Sequence, residues 1–202
     1  RVRGQGHLRY FLLVVDDYSR YTTAFPLRSK GEVPEVLIDW FRDRGGEFSS
    51  NLLRAFYSAE GIRQTFTLPA SPQQNGIAVR RIGMVKDVAC TSMIHAAAPH
   101  FLWPFAVQYA AHQINLQPRV SLPETTPTLR WTGKVGDASV FRVWGSRAFV
   151  RDTSADKLSS RTVPCVFLGF PPYAPGWQFY HPTSRRVLSS RDVTFDESVL
   201  PR

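Results

Sequence analysis

The residues best suited to chemistry cluster between Arg42 and Lys86. Asp43 precedes Gly45-Gly46, so its carboxylate is expected at the end of a strand, where the chain turns sharply and side chains project into a cleft. Glu47 follows four residues later. Beyond a loop that holds Gln74 and Asn75 come three cations, Arg80, Arg81 and Lys86. Lys86 lies two helical turns after Val79, so the two share one side of any helix that carries both. Phosphates are the natural partner of such an ammonium group. A solvated basic face is an equal reading for Arg80 and Arg81, and amides in a loop are usually just solvated. The pair Asp16-Asp17 falls at a hairpin turn, where aspartate commonly bonds its own backbone. Cys90 and Cys165 stand singly, and the spacings of His95, His100 and His112 match no zinc pattern.

These residues need elements to hold them. Ser49 or Ser50 can cap a helix through Leu52, Leu53, Phe56 and Tyr57, and Gly61 supplies a left-handed stop. Ile62 to Leu68 reads as a short strand, and Pro69 to Gly76 as a loop rich in residues that refuse regular structure. A helix is expected from Ile77 to Ile94, with Ile82, Val85, Val88, Ala89 and Met93 available for the core and Arg80, Arg81 and Lys86 on other faces. Upstream, Leu8 to Asp16 predicts a buried strand, Asp17 to Arg20 a turn, and Arg20 to Leu27 a second strand. Gly31 to Phe41 predicts a helix with Val33, Val36, Leu37 and Trp40 as its apolar face. That helix runs straight into Asp43 and leaves no room for an intervening strand of ordinary length, unless Trp40 to Arg42 is itself a stunted strand.

Phe101 to Asn115 predicts another helix, with Pro104 in its first turn. A connector from Gln117 to Asp137 contains one helical turn at Thr126 to Trp131. Five short β runs follow, at 140–150, 162–170, 177–181, 185–190 and 191–195, and their Gly, Pro and Ser turns imply a small barrel. Its core is expected from Trp144, Phe167, Phe170 and Phe195, and its Arg residues 142, 147, 151, 185, 186 and 191 are available to nucleic acid or to water.

Across 202 residues, 43% are hydrophobic, which suits a globular chain of one large or two small domains. The net charge of +9 favours a polyanionic partner or surface. No apolar run is long enough to cross a membrane, and the single cysteines suit reduced thiols in an intracellular compartment.

DRGGEF at 43–48 and SPQQNGIAVRR at 71–81 resemble the second-aspartate and glutamate motifs of retroelement integrase cores, above all those of copia-type retrotransposons. YFLLVVDDYSRYTTAFPL resembles the hairpin that follows the first catalytic aspartate of that family, and CVFLGFPPYAPGWQFYHPTSRRVLSSRDVTFDE resembles its SH3-like domain. The resemblance implies an α/β ribonuclease H-like core, a truncated mixed sheet with helices, followed by a small all-β SH3-like barrel. It divides the chain into a core at 1–116, N-truncated and internally deleted, a connector at 117–138 and the SH3-like domain at 139–198.

The activity implied is strand transfer on DNA, in which carboxylates hold two Mg2+ or Mn2+ ions against the attacking and leaving oxygens. Asp43 would be catalytic and a metal ligand. Gln74, Asn75, Arg80, Arg81 and Lys86 would meet DNA, both element ends and target, in a nuclear protein able to form homo-oligomers. The family separates its aspartate and glutamate by thirty-five residues, which here are 44–78, so Val79 stands where the glutamate belongs. The first aspartate would fall before Arg1. The resemblance therefore implies an integrase-like protein with little or no catalysis and weak or no metal binding, in which Glu47 is the remaining nearby acid. The alternatives are a non-enzymatic nucleic-acid-binding remnant and a poorly folding retroelement fossil.

Overall fold

The computed structural model describes residues 4–42, 61, 76–118, 125–151, 162–171 and 175–200. It begins with an antiparallel hairpin, β1 (Tyr10–Val15) and β2 (Thr22–Leu27), paired from Tyr10 opposite Leu27 to Val15 opposite Thr22. Asp16 makes the turn. Its Oδ2 accepts bonds from the Ser19 N–H at 2.7 Å and the Ser19 hydroxyl at 2.6 Å. Arg20, in the left-handed region at φ 63°, donates its N–H to the Asp16 carbonyl and pairs its guanidinium with Asp17. Every residue of β1 is half-buried rather than buried. Continuous apolarity thus overstated its burial.

After a 3-10 turn at Lys30–Glu32, helix α1 spans Val33–Arg42. Trp40 to Arg42 is therefore helix and not a stunted strand. Among the residues of α1 whose burial is described, Ile38 is the fully buried one, with Val33, Val36, Leu37 and Trp40 half-buried around it. Helix α2 (Gly76–His95) ends at Ala97, left-handed at φ 46°, with the Ala98 N–H reaching back to the Met93 carbonyl. That six-to-one bond satisfies a terminal carbonyl without a glycine. Helix α3 (Trp103–Leu116) carries Pro104 in its first turn. Helix α4 (Pro127–Thr132) is capped by the Thr126 hydroxyl, which accepts the Leu129 N–H, and stops at Gly133, φ 71°.

The C-terminal residues form a five-stranded antiparallel sheet in the order β6-β5-β4-β3-β7. Its strands are β3 (Arg147–Arg151), β4 (Thr162–Gly169), β5 (Trp177–His181), β6 (Arg186–Ser190) and β7 (Val193–Asp196). Helices with a hairpin, then a small all-β unit of SH3-like character, is the fold class expected from the sequence. The strand expected from residue 140 begins only at Arg147, because the buried Tyr109 hydroxyl takes both backbone groups of Arg142, donating to its carbonyl at 2.6 Å and accepting its N–H at 3.1 Å. Groups so engaged cannot join a ladder.

The helices and the C-terminal sheet share one core. Val85 and Ala89 of α2 and Tyr109 and Ile114 of α3 belong to the same buried cluster as Trp144, Phe167 and Phe179. Phe170 and Phe195 pack against it half-buried. Gly145 (φ 80°) permits the closest approach, since a Cβ there would lie 2.3 Å from that of Ala96 at the end of α2. Asn115, 2% exposed, ties the hairpin to α3 by accepting the Thr22 N–H and donating to the Thr22 carbonyl, both at 2.8 Å.

Candidate nucleic-acid interface

Of the residues singled out in the sequence, Asp43, Gln74 and Asn75 lie outside the described residues, as does Glu47. Helix α2 positions the rest. Its buried stripe is Arg81, Val85 and Ala89, spaced by four, which turns Arg80 and Lys86 outward. Val79 is 54% exposed and lies within 20° of Lys86 around the helix axis by the 100° turn per residue, about 10 Å along it. Ile82, expected in the core, is 39% exposed. The true apolar stripe passes one residue to its side, because α3 and β1 cover the face that Val85 centres.

Arg81 corrects the expectation of a DNA-facing pair. The residue is 3% exposed, and one terminal nitrogen donates to the Arg20 carbonyl at 2.8 Å. The other terminal nitrogen, Nη1, is buried without a hydrogen-bond partner. Arg81 therefore clamps the turn of the β1–β2 hairpin onto α2 and is not available to a phosphate. Its place four residues before Val85 and eight before Ala89 was the signal in the sequence, outweighed by its charge and its Arg80 neighbour.

The sheet's basic residues divide in the same way. Arg142 donates to the Ser139 and Phe141 carbonyls and lies over the Phe195 ring at 5.3 Å. Arg147 pairs with Asp196 at 2.9 Å, and Arg151 with Asp192 at 3.0 Å. The Arg147 and Ser198 bonds together hold the Asp196 carboxyl below its ordinary pKa, with Ser198 the stronger cause. Arg185, Arg186 and Arg191 are exposed. The basic residues singled out that stay exposed are thus Arg80 and Lys86 on α2, and Arg185, Arg186 and Arg191 around β6.

A recess of about 610 Å³ opens among β2, α1, α3 and α4, lined by Trp40, Trp131, His112 and Phe170 among others. Trp131 is sandwiched between Tyr21 and Trp40, with ring centroids 5.3 and 6.2 Å away and planes within 9°. Those rings stack on one another. The stack fastens α4 to the hairpin and to α1, which sequence reasoning missed because Trp131 lies 91 residues after Trp40 and 110 after Tyr21. His112, which meets the Phe170 ring edge-on at 5.4 Å, is reachable through the recess but crowded on its other sides. That desolvation lowers its pKa from the ordinary value.

Valine has no donor atom, whereas magnesium demands oxygen ligands. Among the described residues no group of three or more His, Cys, Asp or Glu could hold a metal ion. No helix of the described residues is long and apolar enough to cross a membrane.

Residues 146–202 match the family described as the retroviral polymerase SH3-like domain. Over 98% of its length the chain is 31% identical to the "Retrovirus-related Pol polyprotein from transposon TNT 1-94" of Nicotiana tabacum. Over 96% it is 29% and 28% identical to the corresponding polyproteins from transposons RE1 and RE2 of Arabidopsis thaliana. It spans only 16%, 14% and 14% of those three relatives.

Proposed function

We propose that this chain, a relative of the Pol polyproteins of copia-type retrotransposons whose C-terminal residues match the retroviral polymerase SH3-like domain, is an integrase-like unit that binds nucleic acid without catalysing strand transfer. The observation that carries this reading is the exposed face of α2. Val79, at the position of the motif glutamate, and Lys86, two turns further on, share one solvent-facing side of the helix, so the cation that would meet phosphate is retained while the carboxylate is not. A two-metal site needs several converging carboxylates, and the isopropyl group at 79 contributes none. Val79 does not fit the metal pair, and no chemical step is assigned through it.

What remains is electrostatic. With a net charge of +9, and with Arg80, Lys86, Arg185, Arg186 and Arg191 unburied, the chain is suited to neutralise phosphates and release their counterions. The natural ligands are element ends and target DNA, met in the nucleus. Duplex binding measured across a salt series tests this. The logarithm of the affinity is expected to fall linearly with log salt, to show no requirement for Mg2+ or Mn2+, and to lose about one unit of slope on replacing Lys86 with Ala. Binding that required a divalent cation, or a slope unchanged by Lys86→Ala, would contradict the reading.

A further inference from the structure

A second recess, of about 420 Å³, opens at the seam where the end of α2, helix α3 and the approach to β3 meet the turn after β7. Its volume suits one small ligand. Phe141 and Val143 give it an apolar wall, and two polar side chains on it have bonding capacity to spare. Gln113 of α3 is half-buried. Its Oε1 is buried and meets no donor among the described residues, which leaves Nε2 as the end that reaches the recess. Glu197, after β7, is exposed, and its Oε1 accepts the Val143 N–H at 2.8 Å. That bond fixes the carboxylate and engages only one of its about four lone-pair sites. Its Oε2 has no partner among the described residues.

The recess thus offers an amide N–H donor and a carboxylate acceptor, and the complementary ligand edge has an acceptor followed by adjacent donors. Among the bases guanine alone has that edge, with O6, N1–H and N2–H2 in order. Adenine and cytosine set one amino group beside a ring acceptor, and thymine sets a lone N–H between two carbonyls. We propose that the recess holds the guanine of an unpaired nucleotide, with Glu197 accepting from N1–H and N2–H2, Gln113 Nε2 donating to O6, and the base resting on Phe141 and Val143. A guanidinium also carries a fork of donors. Arg142, however, lines the same recess, with its Nη1 bonded to the Ser139 and Phe141 carbonyls, and the chain carries a net +9. A further cation is repelled there, whereas the phosphate of a nucleotide is attracted. The inference rests on the nucleic-acid reading for the source of the base, and adds a base-specific contact to an interface otherwise made of phosphate contacts.

Equilibrium dialysis of the full chain against GMP, IMP, AMP and CMP tests the recess, because the four share one phosphate and differ only in the base. GMP is expected to bind about tenfold more tightly than IMP, which lacks only the 2-amino group, and by at least that margin over AMP and CMP. Glu197→Gln keeps an oxygen for the Val143 N–H but sets a donor where the second oxygen was. It should weaken GMP about tenfold, to the level of IMP, and leave AMP unchanged. Its circular dichroism should match that of the unaltered chain because Glu197 is at the surface. Equal binding of the four nucleotides, a guanine preference that survives Glu197→Gln, or displacement of GMP by an equal concentration of methylguanidinium would each overturn the proposal. Duplex binding is followed in parallel across the salt series. Salt-sensitive duplex binding without a guanine preference would overturn this inference alone, whereas a guanine preference without duplex binding would overturn the electrostatic reading and uphold the recess.

Discussion

Replacing Asn115 with Ala should remove more stability than its small volume suggests. The side chain is 2% exposed and satisfies both backbone groups of Thr22, itself 1% exposed, through two bonds of 2.8 Å. Truncation leaves a buried N–H and a buried carbonyl without partners in the place where the hairpin meets α3. Each orphaned group costs about 1–3 kcal/mol, so the loss should be about 4 kcal/mol. Against a typical stability of about 5–15 kcal/mol this is a large fraction. With a urea dependence of about 2 kcal/mol per M, the unfolding midpoint should fall by about 2 M, followed by far-UV circular dichroism and tryptophan fluorescence. A loss below about 1 kcal/mol would refute the reasoning, for it would mean that the hairpin is not held to α3 through this side chain.

Gly145→Ala should lower stability by about 2–3 kcal/mol in thermal melts, because it combines a left-handed backbone with a Cβ placed 2.3 Å from that of Ala96. Burial pushes the Tyr109 hydroxyl up to about 12 from its ordinary 10. The folded form thus holds the proton more tightly than the unfolded chain, so this stability is intact below pH 10 and is lost between pH 10 and about 12; Tyr109→Phe should remove that alkaline loss in pH-dependent urea titrations while lowering stability at neutral pH by about 1–2 kcal/mol. Arg81→Ala should destabilise the fold by about 2–3 kcal/mol and leave the salt slope of duplex binding unchanged per folded molecule, whereas Arg80→Ala should do the reverse.

The sequence made the regular elements legible wherever their pattern was local. Helices α2 and α3 begin and end within about two residues of their periodic stretches, since helical spacing and the proline of α3 are short-range signals. The strands from Thr162 onward were likewise marked by their turns. Long-range contacts were not legible. Nothing near Arg142 announces that the Tyr109 hydroxyl will occupy its backbone and delay β3, and nothing near Asn115 announces Thr22. Burial of Arg81 was obscured for a different reason: charge outweighs position in any reading of a surface, although its spacing from Val85 and Ala89 put it in the core stripe. The candidate site was therefore legible as a helix bearing Val79, Arg80 and Lys86, but not as one in which Arg81 faces inward.

The central claim, that the chain retains nucleic-acid affinity without strand transfer, is tested most directly with a labelled duplex incubated with the purified chain and Mn2+ or Mg2+, beside Val79→Glu and Asp43→Asn. The account predicts salt-sensitive binding and no cleavage or joining by the unaltered chain. Metal-dependent cleavage that Asp43→Asn abolishes would contradict it, and would mean that another carboxylate fills the place that Val79 leaves.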